Sequence, residues 1–286
     1  MNLCLGTVQF GTEYGIQHAG QPSPDEAINI IDVAIRSGVT ALDTASSYGT
    51  AEELIGNYLN KHSDSRNRVK IISKLPSEPS CVRSCLNISL KRLKADYIDY
   101  YLLHNTTHIY DNKIVDALFE LKSEGLIKSI GASVYTPDEA RIGIELGFDV
   151  LQIPYSIFDQ RMSEFGILDY AQENGVELHS RSIFTQGLML MDEAAIPLHL
   201  EKARPIVNKL ELFCNNHNIS RLQLAVAFVS RHKSISYIVF GVDNAQQLTE
   251  IINASKCSVS EKILEEATHI FLGIDENIIM PNLWKA

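Results

Sequence analysis

The chain alternates, and the alternation limits what it can fold into. Strand-length apolar runs recur near residues 39–43, 69–74, 98–103, 127–132, 149–153, 176–180 and 236–240, with stretches of helical apolar spacing between them. Reading residues 3–11 as a first strand makes eight, and each crossover is long enough to bring the next strand back parallel to the last. In 286 residues, eight such units favour an α/β fold of the closed (β/α)8 TIM barrel type; periodicity alone leaves an open doubly wound sheet as the alternative. Helices are expected from the Ser23-Pro24-Asp25-Glu26 start to Gly38, and near 51–61, 79–93, 112–123, 137–146, 162–174 and 244–254. Two extra helices, near 201–217 and 220–232, fit between strands 7 and 8, which leaves residues 183–200 as a long loop suited to function. No linker or low-complexity tract interrupts this pattern, so a single domain over residues 1–286 is expected.

Four polar residues stand where strands end. Asp43 closes the run 39–43, with Tyr48 in the loop before the helix that Thr50-Ala51-Glu52 opens; Lys74 closes the third run, and His104 follows the fourth. Ends of parallel neighbours lie on one face, so these four converge around the barrel's mouth, where barrel enzymes keep their chemistry. A tyrosine with a pKa near 10 is a poor proton donor at neutral pH, and a nearby lysine is the group that makes it useful.

Composition narrows the function classes. A net charge of −10 argues against nucleic-acid binding, and no apolar run approaches the length of a membrane span, so neither nucleic acid nor membrane is an expected partner. The N-terminus has no basic segment followed by a long apolar one, which makes the cytoplasm the default location. Cysteines 4, 81, 85, 214 and 257 are odd in number and scattered, as a reducing compartment allows. Cys81 and Cys85 would share a helix face, but no His or Cys partner stands at ligand spacing and no metal is expected. Monomer and homodimer both remain open.

Taken together, the motifs resemble the aldo-keto reductase superfamily over nearly the whole chain, most closely its bacterial members, some of which belong to sugar or surface-polysaccharide pathways. They are Leu5-Gly6-Thr7, Asp43-Thr44-Ala45, Tyr48-Gly49, Ala51-Glu52, Lys74, His104 after Tyr101-Leu102-Leu103, Ile130-Gly131-Ala132-Ser133, Gln152-Ile153-Pro154-Tyr155 and Gly187-Leu188. The resemblance implies a barrel that binds a nicotinamide cofactor in extended form and reduces an aldehyde or ketone. Tyr48 would be the general acid, Lys74 would lower its pKa, Asp43 would pair with Lys74, and His104 would orient the carbonyl. Gly6, Thr7 and Asp43 would border the cofactor, Ser133 and Gln152 would hold its carboxamide, and the loop with Ser182, Gln186, Gly187 and Leu188 would pass along its pyrophosphate. A second reading keeps the barrel and cofactor but makes the chain a regulatory or redox-sensing protein with little turnover.

Three positions depart from the family pattern. Val134 stands where an asparagine often assists the carboxamide. Arg181 stands where an aromatic residue often stacks on the nicotinamide; a guanidinium stacks too, but it would repel the positively charged oxidised ring and so favour the reduced cofactor. Where the family holds a 2′-phosphate with an early lysine or serine and a later arginine, this chain has Gly241 and Gln247, with Asn244 opening the helix. NADP is the cofactor the family implies, while Asp243 and these two residues lean towards NAD. The substrate pocket is expected to be walled by Tyr14, residues 105–112, residues 157–161 and the tail with Pro281, Leu283 and Trp284.

Overall fold

Apolar runs this continuous suit strands covered on both faces, and that is how they are used. The structure, a computed structural model, describes residues 2–16 and 20–284. Eight parallel strands close in sequence order into a barrel: β1 (Asn2–Gly6), β2 (Ala41–Asp43), β3 (Lys70–Leu75), β4 (Ile98–Leu103), β5 (Ile127–Ser133), β6 (Val150–Pro154), β7 (Glu177–Arg181) and β8 (Ile235–Gly241). β8 pairs with β1 from Asn2 opposite Tyr237 to Gly6 opposite Gly241, which seals the cylinder. Cys4, Ala41, Ile72, Leu102, Val150 and Val239, with the rings of Tyr100 and Tyr237, pack as a cluster of their own apart from the larger core between strands and helices.

The helices follow the expected alternation: α1 (Pro24–Arg36), α2 (Ala51–Lys61), α3 (Val82–Leu93), α4 (Asn112–Ser123), α5 (Pro137–Glu145) and α6 (Ile167–Glu173) come after β1 to β6. α7 (Arg204–His217) and α8 (Arg221–Ser230) lie between β7 and β8, and α9 (Ala245–Ala254) follows β8. Ser23 and Thr136 close capping boxes over α1 and α5, each with proline in the first turn.

The departures have local causes. β1 ends at Gly6 rather than running to residue 11, because Thr7 turns to bond Asp43 O and Val8–Phe10 coil into a 3₁₀ turn. The helix expected over 162–174 breaks at Gly166, whose φ of +70° leaves only the turn Arg161–Glu164 before α6. Cys81 is the exposed residue before α3 while Cys85 is buried in its face, so the two do not pair. A further helix, α10 (Glu261–Ile270), buries Leu264 and Ala267 and is not among those expected. No helix of the described residues is long and apolar enough to cross a membrane.

Candidate active site

Tyr48 is presented by a loop fastened at nearly every residue. Thr44 N bonds Ile72 O at 2.8 Å, Ser46 Oγ donates to Lys74 O at 3.1 Å, and Tyr48 N bonds Ala45 O at 3.0 Å. Behind the loop lies a buried carboxylate, Glu52, which accepts from Ser73 Oγ at 2.7 Å and from Arg92 at 3.4 Å; Arg92 also donates to Ser46 O. On the other side the backbone at Gly11 runs against the loop so closely that a Cβ there would lie 1.9 Å from Tyr48 O. Gly49, at φ +50°, has Gly11 O 2.3 Å from its own missing Cβ. Only glycine fits either place.

Below the phenol the charges are arranged in order. Lys74 is almost wholly buried; its Nζ donates to Asp43 Oδ1 at 2.7 Å and to Thr44 O at 2.9 Å, and stands 5.1 Å from the centre of the Tyr48 ring. Burial alone would lower the ammonium's pKa, but Asp43 and Tyr48 outweigh it and hold the pKa above its ordinary value, so the amine is charged. Burial pushes the Tyr48 phenol above its usual range, and Lys74 opposes that shift more strongly than any other group. This corrects the expected direction: Lys74 does lower the phenol's pKa, yet desolvation wins. His104 packs edge-on to Tyr48, with ring centres 5.7 Å apart, and its Nδ1 lies 3.3 Å from Ser47 Oγ. Burial and then the Lys74 charge depress its pKa to about 4, so the imidazole is neutral at physiological pH.

Asp43 also accepts from Gln152 Nε2 at 2.7 Å, linking the dyad to the next strand ends. Ser133 Oγ donates to Gln152 Oε1 at 3.5 Å and accepts from Arg181 Nε at 3.2 Å. Arg181, the last residue of β7, also donates to Val134 O at 2.9 Å and Ser182 Oγ at 3.2 Å, and its guanidinium lies 4.3 Å from the centre of the Tyr135 ring. The chain then bends sharply: Ser182, Thr185, Gln186 and Gly187 all have positive φ, and Gln186 O accepts from Ile16 N at 3.3 Å across the mouth.

The arrangement surrounds a cavity of about 780 Å³, ample for an extended ligand, which only part of it lines directly. Gly6, Thr7, Asp43, Tyr48, His104, Ser133, Gln152, Arg181, Ser182, Gln186, Gly187, Gly241 and Gln247 line it. Three expected residues do not. Lys74 acts from behind Asp43, Leu188 is turned into the hydrophobic core, and Asn244 uses its side chain to cap α9 by accepting from Gln247 N at 2.9 Å. The pocket-wall expectation also narrows: Tyr14 and Pro281 line the cavity, joined by Asn282, but residues 105–112 and 157–161 do not. Thr106 is drawn away by Glu139 at 2.8 Å, Arg161 is locked on Asp159, Ile157 and Phe158 are core, and Trp284 Nε1 bonds Ile278 O.

Other lining residues, among them Gln9, Ser47, Tyr135 and Glu250, lie outside the sequence reading. Glu250 was detectable, since it follows Gln247 by one helical turn and so shares its face. Gln9 was not, because its amide is brought to the cavity by the turn after β1, where a Cβ on Gly241 would lie 2.5 Å from its Oε1.

A comparison with protein-family models matches residues 2–270 to the aldo/keto reductase family. The chain belongs to that family. As an aldo/keto reductase it is an oxidoreductase of NAD(P)H-dependent carbonyl chemistry. Among its relatives, a probable aldo-keto reductase 1 of Glycine max is 27% identical over 84% of this chain and 78% of its own length. An NADH-specific methylglyoxal reductase of Escherichia coli (strain K12) is 26% identical over 82% of this chain and 84% of its own length. An aldo-keto reductase from Bacillus halodurans, solved in its holo form, superposes with a TM-score of 0.80 over 97% of this chain and 94% of that one at 21% identity, which supports the fold alone.

Proposed function

We propose that this aldo/keto reductase uses NADH to reduce a small polar aldehyde or ketone, with Tyr48 as the general acid. The observation that carries this reading is the charged Lys74 amine, held on Asp43 at 2.7 Å and 5.1 Å from the centre of the Tyr48 ring. A donor polarised by an adjacent cation stabilises charge as it develops on a carbonyl oxygen. Neutral His104, steadied near Ser47, donates a second hydrogen bond to that oxygen without competing as an acid. A nicotinamide cofactor held there would supply a hydride for the carbonyl carbon, and Tyr48 gives its proton to the oxygen. Ser133 and Gln152 would hold the cofactor's carboxamide, and the sharply bent segment with Ser182, Gln186 and Gly187, which lines the cavity, would border its pyrophosphate.

The residues fit such a cofactor, and the far end of the cavity favours its unphosphorylated form. Gln9 Oε1 is buried there with no hydrogen-bond partner among the described residues, an acceptor suited to a ribose hydroxyl. Asp243 and Glu250 line the same end, and Gln247 is held by Asp243 through bonds of 2.8 and 3.2 Å. Among the described lining residues no lysine or arginine stands at that end. Acceptors and negative charge suit a 2′-hydroxyl and oppose a 2′-phosphate, so NADH replaces the NADP that the family pattern implies. The five free cysteines suit a reducing cytoplasm, where we locate the enzyme.

Fluorescence titration with NADH and NADPH, followed by turnover of methylglyoxal and other small carbonyls, tests this reading. NADH is expected to bind more tightly than NADPH, and Tyr48→Phe to lower kcat by about 10² to 10⁴ while NADH still binds. Turnover unaffected in Tyr48→Phe overturns the assignment of the acid. Tight NADH binding with no turnover of any carbonyl favours a regulatory barrel instead.

A further inference from the structure

The charges around the nicotinamide end do not cancel. Lys74 is matched by Asp43 at 2.7 Å, and His104 is neutral because burial and Lys74 hold its pKa down at about 4. Arg181 is different. Its three nitrogens are satisfied by neutral oxygens, Ser133 Oγ, Ser182 Oγ and Val134 O, and no carboxylate among the described residues pairs with it. It is also the only lysine or arginine among the described residues that line the cavity. Three hydrogen bonds and the Tyr135 ring 4.3 Å beneath it fix its plane, so it cannot swing out to solvent when another positive charge arrives.

Resting on the reductase reading, we infer that Arg181 makes this site discriminate by redox state, holding reduced nicotinamide cofactor and rejecting the oxidised form. The Arg181 Nε bonds the same Ser133 that anchors the carboxamide, so an uncompensated cation stands within a residue's reach of the ring. The reduced ring is neutral; the oxidised ring carries a positive charge. A fixed cation in a partly desolvated cleft therefore leaves binding of the first almost untouched and weakens the second. An oxidised ring beside Arg181 would put two like charges side by side, and the tyrosinate left when Tyr48 gives up its proton would offset them only until it is reprotonated. Release of the oxidised cofactor is then fast, and that cofactor inhibits weakly as a product.

Calorimetric or fluorescence titration with NADH, NAD⁺ and ADP-ribose tests this on the parent protein, Arg181→Gln and Arg181→Lys. The parent is expected to bind NADH at least about tenfold more tightly than NAD⁺, equivalent to about 30 mV in the potential of the bound two-electron couple. In Arg181→Gln that ratio should fall towards one, chiefly because NAD⁺ binds more tightly, while Arg181→Lys keeps most of it. ADP-ribose carries no nicotinamide ring, so equal affinity in parent and variants verifies that the variants are folded. Equal affinities for NADH and NAD⁺ in the parent, or an unchanged ratio in Arg181→Gln, overturn the inference. Failure of both NADH and ADP-ribose to bind the parent overturns the reductase reading itself.

Discussion

At the scale of single residues, the centre is a competition over one phenolic proton. Burial raises the Tyr48 pKa above 10 and Lys74 pulls it back, so the acid form persists through neutral and mildly alkaline solution. Reduction needs that acid form. The rate should therefore stay flat from about pH 6 to about pH 9 and decline only as pH rises through the elevated pKa. His104, with its pKa lowered to about 4, adds no limb in the neutral range. Lys74→Met removes the strongest influence holding the pKa down and leaves Asp43 unopposed. Its alkaline limb should move to higher pH while kcat falls by about 10² or more, and pH profiles of kcat/KM for the two proteins check both effects.

Among the elements, the loop between β2 and α2 depends on its neighbours for its shape. Glu52, in the first turn of α2, ties that helix to Ser73 on β3 and to Arg92 on α3, and Arg92 reaches on to Ser46 O. Glu52→Ala leaves the fully buried Ser73 hydroxyl unpaired and should cost roughly 1–3 kcal/mol in denaturant unfolding. It should also lower kcat more than it raises KM, because the fastening lost is that of the acid and not of the substrate. The strand ends that supply Asp43, Lys74, Ser133, Gln152 and Arg181 were legible in the sequence, since strands covered on both faces write themselves as apolar runs with abrupt polar ends. Loops were less legible. Whether residues 105–112 or 157–161 lean over the mouth depends on partners far away in sequence, Glu139 for Thr106 and Glu276 for Arg161, which no local pattern announces. The net direction of the Tyr48 shift was equally hidden, because it is set by how much of the fold surrounds the phenol.

Over the whole molecule, the cylinder closed by β1 and β8 sets the chemistry at one end, and the chain's last segment returns to that end. Glu276 bonds Arg161 at 3.0 Å, and beyond it Pro281 and Asn282 join the cavity wall. Truncation after Met280 removes those two lining residues and leaves the barrel strands intact. KM for a small carbonyl should rise about fivefold, equivalent to roughly 1 kcal/mol of lost contact, with little change in Tm. An equal KM for the shortened and full-length proteins would remove the tail from the substrate's surroundings.

The crossing of Gly11 and Gly49 has a consequence for how this sequence can vary. A side chain at residue 11 would run into the Tyr48 carbonyl and Thr50 N, and one at residue 49 into the backbone of Gly11, so the obstacle is main chain in both directions and no smaller neighbouring side chain can make room. Saturation mutagenesis of the two codons together should return the parental pair alone among active clones. The route to a displaced tyrosine is closed to single and double substitutions alike.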